Sequence, residues 1–480
     1  MKGAKPVLAH KRNLVVLTAL LGAAGCGILE PALPEADPQI AAEWPIPPTT
    51  IETPATSPVE ALRAGEISEI GWRDFFTDPN LEQLIAFSLD HNRDLRVAVL
   101  NVERARALYR IQRSDRVPSL NARALMNRGG GENVFLTEAH AVELVVPAFE
   151  LDLFGRVRNL SEAALRDYLA QEEAQRATQL SLIAEVANAY LTLVSDRELQ
   201  EVAEAALKNR QEELSLTERR FELGAASSLE VNQAQIEVET ARSDVWQFAG
   251  QVAQDINALT LLTGTTVDPA LLSTSGVDMQ ASGVGALPAG LPSDVLLRRP
   301  DVQAAEFRLR SANALIGAAR AAFFPSITLT GSFGTASNDL SDLFESGTDA
   351  WNFIPQIAQP IFQGGRLRAN ADVANVDRDI ALADYERTIQ ASFREVADTL
   401  ALTQTLARQR ESREALLQAA SRANELSRIR YEAGSDSYLV LLDAQRTLYA
   451  AQQALVSTRL AEQANRVNLY KALGGGWNEQ

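Results

Sequence analysis

One ten-residue stretch recurs in a related form in this chain and decides its fold. Residues 220–229 read Arg-Phe-Glu-Leu-Gly-Ala-Ala-Ser-Ser-Leu, and residues 430–439 read Arg-Tyr-Glu-Ala-Gly-Ser-Asp-Ser-Tyr-Leu. The same shift of 210 residues also places Gln235 on Gln445. Chance similarity between amphipathic helices could produce one such match but hardly an ordered series. The chain is therefore predicted to be a tandem duplication.

A very long helix is predicted before each copy of this stretch. Residues 155–222 and 366–433 contain no proline, and each is followed by a glycine, Gly224 or Gly434. A helix of about 68 residues is about 100 Å long. Apolar residues in the first segment recur at spacings of three and four in two adjacent stripes, which predicts helical neighbours on two sides. The stripes are Leu180, Ile183, Ala187, Tyr190 and Val194, and Leu182, Val186, Ala189 and Leu193.

Shorter helices and strands are predicted around each long helix. The short helices are residues 82–116 and 229–262 in the first copy, and 294–323 and 436–473 in the second. Polar and apolar residues alternate in residues 326–333, and less cleanly in 120–127, 149–153 and 351–362, which indicates two-faced strands within about 117–153 and 325–362. Glycines 129–131 and residues 338–349 are predicted as turns.

The predicted strands, about 9–11 residues long, suit tilted strands that span a membrane. Four strands cannot close a barrel, and an open sheet edge is not tolerated in lipid. If the strands span a membrane, several chains must share a barrel. Two chains would give about 8 strands and a filled interior, and three would give about 12 and a passage. The alternative is that the hairpins are soluble caps on a periplasmic helical rod.

The N-terminus has the pattern of an export signal. Four basic residues precede a short apolar run, so residues 1–25 are predicted to be a signal peptide. Ala23-Ala24-Gly25-Cys26 resembles a bacterial lipobox, in which Cys26 carries the lipid (palmitate among the acyl chains); the alternative is an ordinary signal peptide with a chance cysteine. Residues 31–58 contain eight prolines, which favours an extended linker leading from the lipid to the folded body.

Composition excludes several classes of protein. The 480 residues carry a formal charge of −17, which argues against nucleic acid as a partner. A 46% hydrophobic share and a 22% charged share do not fit disorder or a membrane protein that crosses by many helices. The single cysteine excludes an internal disulfide, and no phosphate-binding loop or hydrolase motif occurs. We therefore expect no enzyme, no cofactor and no metal.

Five longer motifs match one family. They are residues 291–301, 319–325, 360–368, 438–446 and 472–477, for example Pro-Ile-Phe-Gln-Gly-Gly-Arg-Leu-Arg at 360–368. These motifs resemble those of TolC-like outer-membrane efflux channels, in the lipoprotein branch that includes OprM and NodT. The resemblance covers the chain from about Trp72 to Trp477.

The resemblance implies a mainly α fold with a small transmembrane β part. It implies a homotrimer with a shared 12-stranded β-barrel in the outer membrane of a Gram-negative bacterium and a long periplasmic α-helical barrel. The function implied is a passive gated duct for multidrug efflux that exports drugs or other toxic small molecules. The partners implied are a periplasmic adaptor (membrane fusion) protein, an inner-membrane resistance-nodulation-division pump and outer-membrane lipid. The predicted segments are 1–25 signal peptide, 26–70 lipid-anchored linker, 71–277 first repeat, 278–292 connector, 293–473 second repeat and 474–480 tail.

The resemblance also assigns candidate site residues. The turns after the long helices match the tips that contact the adaptor, with the alternative that these glycines and serines only cap helices and form turns. Asp443, with Leu439 one turn before it, matches a tunnel constriction, where three carboxylates would repel one another or attract cations. The alternative is a solvated Asp443 that pairs with Arg446. Tyr431 matches a gate aromatic, with core packing as its alternative. The tip candidates are Gly224, Ala225, Ser227, Leu229, Gly434 and Ser437, and the membrane-interface aromatics are Phe333, Trp351 and Phe353.

A second function stays open from the residues alone. A lipid-anchored coiled-coil protein, either an envelope spacer or an adaptor, would also contain long helices. An adaptor would need a β-rich domain between its helices, and no such block occurs in the sequence. A secreted enzyme lacks any recognisable site.

Overall fold

A computed structural model describes residues 29–41, 44, 71–131, 134–272 and 293–475. The signal peptide, Cys26, the connector 278–292 and residues 476–480 lie outside these described residues. The helices are α1 (Trp72–Phe75), α2 (Pro79–His91), α3 (Arg93–Ser114), α4 (Arg156–Glu222), α5 (Ser228–Thr263), α6 (Pro300–Ala321), α7 (Arg366–Glu432) and α8 (Tyr438–Ala472). The strands are β1 (Asn121–Gly131), β2 (Val134–Leu151), β3 (Ser326–Ser337) and β4 (Asp349–Ala358). Short 3₁₀ helices occupy Pro269–Leu272, Ser293–Arg298 and Leu340–Asp342.

The two long helices are uninterrupted, as predicted. Helices α4 and α7 have 67 residues each, and their ends are related by the same 210-residue shift as the sequence repeat. The return helices α5 and α8 begin at Ser228 and Tyr438. The second return helix therefore starts two residues later than the sequence predicted, because Ser437 takes an extended, helix-preceding conformation.

The prediction of one helix over residues 82–116 was wrong, because the chain breaks at Asn92. The side-chain amide of Asn92 donates to the carbonyl oxygen of Leu262 at 2.9 Å, and its side-chain oxygen accepts from the backbone N–H of Leu95 at 2.9 Å. Asn92 thereby starts a new helix, α3, while it is tied to the end of α5. Similarly, the predicted helix 294–323 divides into a 3₁₀ turn and α6, with Pro300 as the first residue of α6.

The two predicted apolar stripes of α4 are buried, except that Ala189 is half-buried. Ile183, Val186 and Leu193 belong to one core. Around them pack the aromatic side chains of α1, together with Tyr470 from α8. Rings of Phe75 and Tyr470 stack at a centroid distance of 3.8 Å. The stripes therefore have neighbours on more than one side.

The four strands form one antiparallel sheet in the order β1-β2-β3-β4. Phe333 lies opposite Leu144 on β2 and opposite Trp351 on β4, so these three side chains share a face. That face is apolar and largely exposed, whereas the opposite face carries most of the polar residues, including an ion pair between Arg123 and Glu143. The apolar face also contains Ala122, Ala124, Met126, Val142, Val146, Phe149, Leu151, Ile327, Leu329, Phe353 and Ile357.

The strands differ from the prediction in three respects. Strand β2 has 18 residues, well beyond the predicted length. Gly129 to Gly131 do not form the predicted turn but end β1, with a bulge in the pairing to β2. Strand β4 contains Pro355 and stops before Pro360. Strand β4 is an edge strand of the sheet within this chain, and edge strands are among the places where a sheet tolerates proline.

The two hairpins have unequal lengths. The last residue of β3, Ser337, lies opposite His140 on β2. Residues 134–139 of β2 continue beyond that point and pair only with β1. Within this segment Glu138 forms an ion pair with Arg128 of β1 at 2.7 Å.

The described part of the proline-rich linker has no helix or strand, as its composition predicts. The side-chain amide of Asn313 on α6 donates to Glu30 Oε1 at 3.0 Å and to the carbonyl oxygen of Pro31 at 2.8 Å. Further along, Trp44 stacks on Phe393 of α7 with ring centroids 4.5 Å apart. The described part of the linker therefore packs against α6 and α7.

The chain divides into two compact units that do not follow the sequence repeats. One unit comprises residues 1–37, 100–173 and 303–387 and contains the sheet, and the other comprises 38–99, 174–302 and 388–480. Each unit takes segments from both halves of the chain. A sequence repeat therefore corresponds to a series of helices and strands and not to one compact unit. None of the helices in the described ranges combines the length and the apolar character needed to cross a bilayer.

Candidate functional site

The two turns after the long helices have the same backbone. Gly224 and Gly434 each have a φ of 72°. The N–H of Gly224 donates to the carbonyl oxygen of Phe221 at 2.9 Å, and the N–H of Gly434 donates to that of Tyr431 at 2.9 Å. A residue with positive φ at this place, with these bonds, ends a helix in a Schellman turn. Glycine is required for its conformation and not for space, because a Cβ at either position would meet no atom within 4 Å.

The predicted tip residues fall into two exposed groups. Gly224, Ala225, Ser227 and Leu229 surround the first turn, and Gly434 and Ser437 belong to the second. Ser227 also forms a capping box with Glu230, so this serine caps the start of α5. Ser437 makes no side-chain capping bond.

Sequence reasoning missed the most exposed apolar residue at the first turn. Leu223 is 84% exposed, more than Leu229 at 67%. Its position directly before Gly224 was the available signal, since the residue before a Schellman glycine belongs to the turn.

Tyr431 lies between helices. Its ring is 5.6 Å from that of Tyr438, and the guanidinium of Arg220 lies 4.8 Å above it. Both tyrosines belong to a small apolar cluster that also includes Ala234 and Leu441. Burial raises the pKa of the Tyr431 hydroxyl. The geometry favours the packing alternative for this residue.

Leu439 and Asp443 lie one turn apart on α8, and both are exposed. Within the described ranges, Asp443 does not form the ion pair with Arg446 that the alternative expected. Arg446 instead binds Glu237 of α5, with Nη2 and Nε at 2.6 and 2.9 Å from Glu237 Oε1. Leu439 and Asp443 therefore lie on an exposed face of α8.

Glu237 joins three helices and was not found from the sequence. The residue is 5% exposed, and its carboxylate lies 3.3 Å from Arg210 of α4, in addition to its contact with Arg446 of α8. Arg210 is also buried and packs over the ring of Tyr449 at 5.0 Å. No local spacing relates residues from three separate helices, so a single sequence carries no signal for this cluster.

A groove with a volume of about 910 Å³ lies beside these residues, between α4, α7 and α8. Gln445 donates a hydrogen bond to Glu213 at its wall, and Tyr449 donates to Asp244 at 2.9 Å. Burial raises the pKa of Glu213, although the bond from Gln445 acts in the opposite direction. These bonds hold α8 to both α4 and α5.

A carboxyl pair lies further along the same helices. Burial raises the pKa of Asp255 on α5 to about 6, and the neighbouring carboxyl of Asp196 on α4 adds to the shift by repulsion and hydrogen bonding. Burial also raises the pKa of Asp196. At the repeat-related positions the chain has Leu406 and Asn465, so this pair belongs to the first repeat alone.

The three predicted interface aromatics lie on the apolar face of the sheet. Phe333 and Trp351 are direct cross-strand neighbours, and Phe353 lies opposite Gly331. All three are exposed, with Trp351 at 77%. The structure therefore brings them together on one exposed apolar face.

Comparisons with known proteins identify the relatives of this chain. The family described as "Outer membrane efflux protein" matches residues 84–265 and 291–475. The chain is 46% identical over 477 residues to the antibiotic efflux pump outer membrane protein ArpC of Pseudomonas putida, covering 98% of this chain and 96% of that protein. The toluene efflux pump outer membrane protein TtgC of Pseudomonas putida gives the same identity and coverage, at 46%, 98% and 96%.

Two solved structures are similar throughout. A membrane protein from Pseudomonas aeruginosa has a TM-score of 0.86 at 40% identity, covering 93% of this chain and all of that one. The open state of the Neisseria gonorrhoeae MtrE outer membrane channel has a TM-score of 0.84 at 38% identity, covering 94% of this chain and 98% of that one.

Proposed function

Since the chain belongs to the outer membrane efflux protein family, we propose that three copies of it form one passive gated duct that carries small molecules out of the periplasm. The chain is an outer-membrane channel component of an efflux system, with the fold of TolC-like channels. The observation that carries the proposal is the exposed apolar face of the four-stranded sheet, joined to two uninterrupted helices of 67 residues.

The sheet supports the number of copies. Strands β1 and β4 are the two edges within the described sheet, and edges in lipid must be paired. Two chains would give about 8 strands and a filled interior, whereas three give about 12 and leave a passage. The exposed apolar face would then contact outer-membrane lipid.

The gate is assigned to the exposed face of α8. Leu439 and Asp443 would face their symmetry mates in a trimer, and three carboxylates at close range disfavour anions. The carboxylate of Glu237 on α5 holds α8 in place through Arg446. Opening of the gate therefore requires either that this ion pair breaks or that α5 moves together with α8. Tyr431 would support this region by packing rather than by lining it.

The partners are assigned by chemistry. The two exposed turns would contact a periplasmic adaptor protein, which connects the duct to an inner-membrane pump of the resistance-nodulation-division class. Leu223 and Leu229 supply apolar anchors at the first turn. A lipid on Cys26 would hold the linker at the membrane. The names of the relatives support antibiotics and solvents as the exported class. A duct needs no catalytic group.

Planar-bilayer recording tests the gate. Replacing both Leu439 and Asp443 with Ala is expected to raise single-channel conductance severalfold and to reduce cation selectivity. The repeat-related double variant, Leu229→Ala with Gln233→Ala, is the matched control and should change conductance little. Unchanged conductance and selectivity in the first variant, or equal changes in both, would contradict the assignment to α8.

The same preparation separates the duct from a lipid-anchored coiled-coil spacer. A duct should leave the membrane only in detergent, as a heat-sensitive trimer that forms pores. A monomer released by lipase alone would support the spacer instead.

A further inference from the structure

A cavity of about 550 Å³ lies in the unit that contains the sheet. Its volume is within the range of small-molecule sites. One wall is the linker, and the others are α4, α6 and the turn between α3 and β1. We call it the arginine pocket. Its lining residues are Glu30, Pro31, Leu33, Arg116, Arg158, Asn159, Glu162, Arg166, Arg310 and Asn313.

The arginine pocket is electropositive, with four guanidinium groups against two carboxylates. Arg166 pairs with Glu162 at 2.6 Å, and Arg310 pairs with Glu306 on its own helix. Arg116 makes no ion pair within the described ranges, and its Nη2 donates to the carbonyl oxygen of Arg158 at 3.2 Å.

Donors remain available in this pocket. A guanidinium has five N–H groups, and one described bond leaves most of those of Arg116 open. The Nε of Arg310 is buried and has no hydrogen-bond partner among the described residues. Planar guanidinium donors match the oxygens of a phosphate, which they bind in a bidentate manner.

The position of the pocket indicates where the anion comes from. Arg116 precedes β1, and Arg158 lies in the first turn of α4, which follows β2. Both are therefore at the helix-bearing end of the sheet. If the strands cross the outer membrane, this end lies at the level of the phosphate groups of the periplasmic leaflet.

We propose that the arginine pocket binds a phosphate group, supplied by a phospholipid headgroup at the periplasmic surface of the outer membrane. The inference goes beyond the duct and depends on it only for the side of the membrane. The linker completes the pocket, because Asn313 holds Glu30 and Pro31 against α6. A bound phosphate would accept hydrogen bonds from Arg116 and Arg158 and would hold these two arginines close to α6.

Native mass spectrometry of the full-length trimer in detergent tests the proposal with phosphatidylglycerol as the probe. The double variant Arg116→Gln, Arg158→Gln should bind the lipid at least tenfold more weakly than the unmodified protein. The control Arg104→Gln, Arg113→Gln removes two exposed charges from α3 that do not line the pocket, and it should bind normally. The single variant Arg116→Gln, which changes only an exposed turn residue, should weaken binding about threefold, and it keeps the test valid if the double variant does not fold.

Titration calorimetry with inorganic phosphate distinguishes a phospholipid headgroup from free phosphate as the ligand of the arginine pocket. Phosphatidylglycerol binding with weak or no phosphate binding supports the headgroup. Phosphate binding of equal strength, lost in Arg116→Gln, supports the pocket but assigns it to free phosphate. Binding of neither probe, or equal losses in the pocket and control variants, would overturn the proposal.

Discussion

The turns at Gly224 and Gly434 share a backbone but differ in how they are held. The second turn has an ion pair, in which Arg430 binds Asp436 at 2.7 and 2.9 Å, and this bond lowers the pKa of Asp436. The first turn has Ala226 at the related position and relies on its capping box instead.

The helices that follow the turns differ more strongly. Tyr438, the first residue of α8, is 3% exposed, whereas its counterpart Ser228 on α5 is exposed. Arg446, which binds Glu237, has Ile236 as its counterpart. Duplication therefore preserved the conformation of the turn, and side-chain changes tied one return helix into the core while leaving the other free at its start.

Replacing Tyr438 with Ser should remove the difference between the starts of α5 and α8, and it should have the largest effect on stability of the changes considered. The change removes a buried ring from the cluster with Tyr431 and is expected to cost about 3–5 kcal/mol of unfolding free energy. Thermal unfolding followed by circular dichroism measures the loss. The control Ser228→Ala should cost less than about 0.5 kcal/mol, since it alters an exposed side chain. Equal losses at the two sites would show that both return helices are anchored alike.

Replacing Asp255 with Asn introduces the residue of the second repeat. Asn465 there donates to the carbonyl oxygen of Thr399 and to the hydroxyl of Thr403, both at 3.0 Å. The pKa of Asp255, about 6, lies above its ordinary value of 3.8, so the folded chain holds a proton that the unfolded chain loses in this range. Stability should therefore fall as pH rises from about 4 to 6.

Asn does not titrate, so the variant should show a weaker pH dependence, because only Asp196 of this pair can still titrate. We expect it to be more stable than the unmodified protein by about 1 kcal/mol at pH 7, a value that allows for solvent screening of this partly exposed group. Unfolding midpoints at pH 4.5 and pH 7.5 provide the measurement. A variant with the same pH dependence as the unmodified protein would show that Asp255 does not hold the proton.

The smallest effect should separate the serines of the two turns. Ser227→Ala removes a capping box and is expected to cost about 0.5–1 kcal/mol. Ser437→Ala removes no capping bond and should leave stability unchanged within about 0.3 kcal/mol. Denaturant unfolding of the two single variants is the measurement. A reversed order would mean that Ser437 makes a bond only in the assembled protein.

Features set by local sequence were predictable. The long helices and the glycine turns follow from a proline-free stretch and a terminal glycine, and the buried stripes of α4 follow from their spacing. The break at Asn92 was not predictable, because it depends on Leu262, which lies 170 residues away. The inner carboxylate Glu237 was missed for the same reason, since its partners come from α4 and α8.

The strands were predictable in number and faces but not in length. Alternation identifies which residues share a face, as Phe333 and Trp351 do. It does not identify where pairing stops, because that depends on the length of the neighbouring strand. The glycines at 129–131 indicate a turn by composition, yet Gly129 and Gly131 pair with β2, because β2 continues past the end of β3.

This overhang of the β1–β2 hairpin has a consequence at the cell surface. Residues 134–139 extend about 20 Å beyond the last pairing of β3, at about 3.4 Å per residue. In an outer-membrane channel whose helices lie in the periplasm, that extension points away from the cell. An antibody or a bacteriophage approaching from outside would meet this ridge before any other described part of the sheet, so variation among strains should concentrate there.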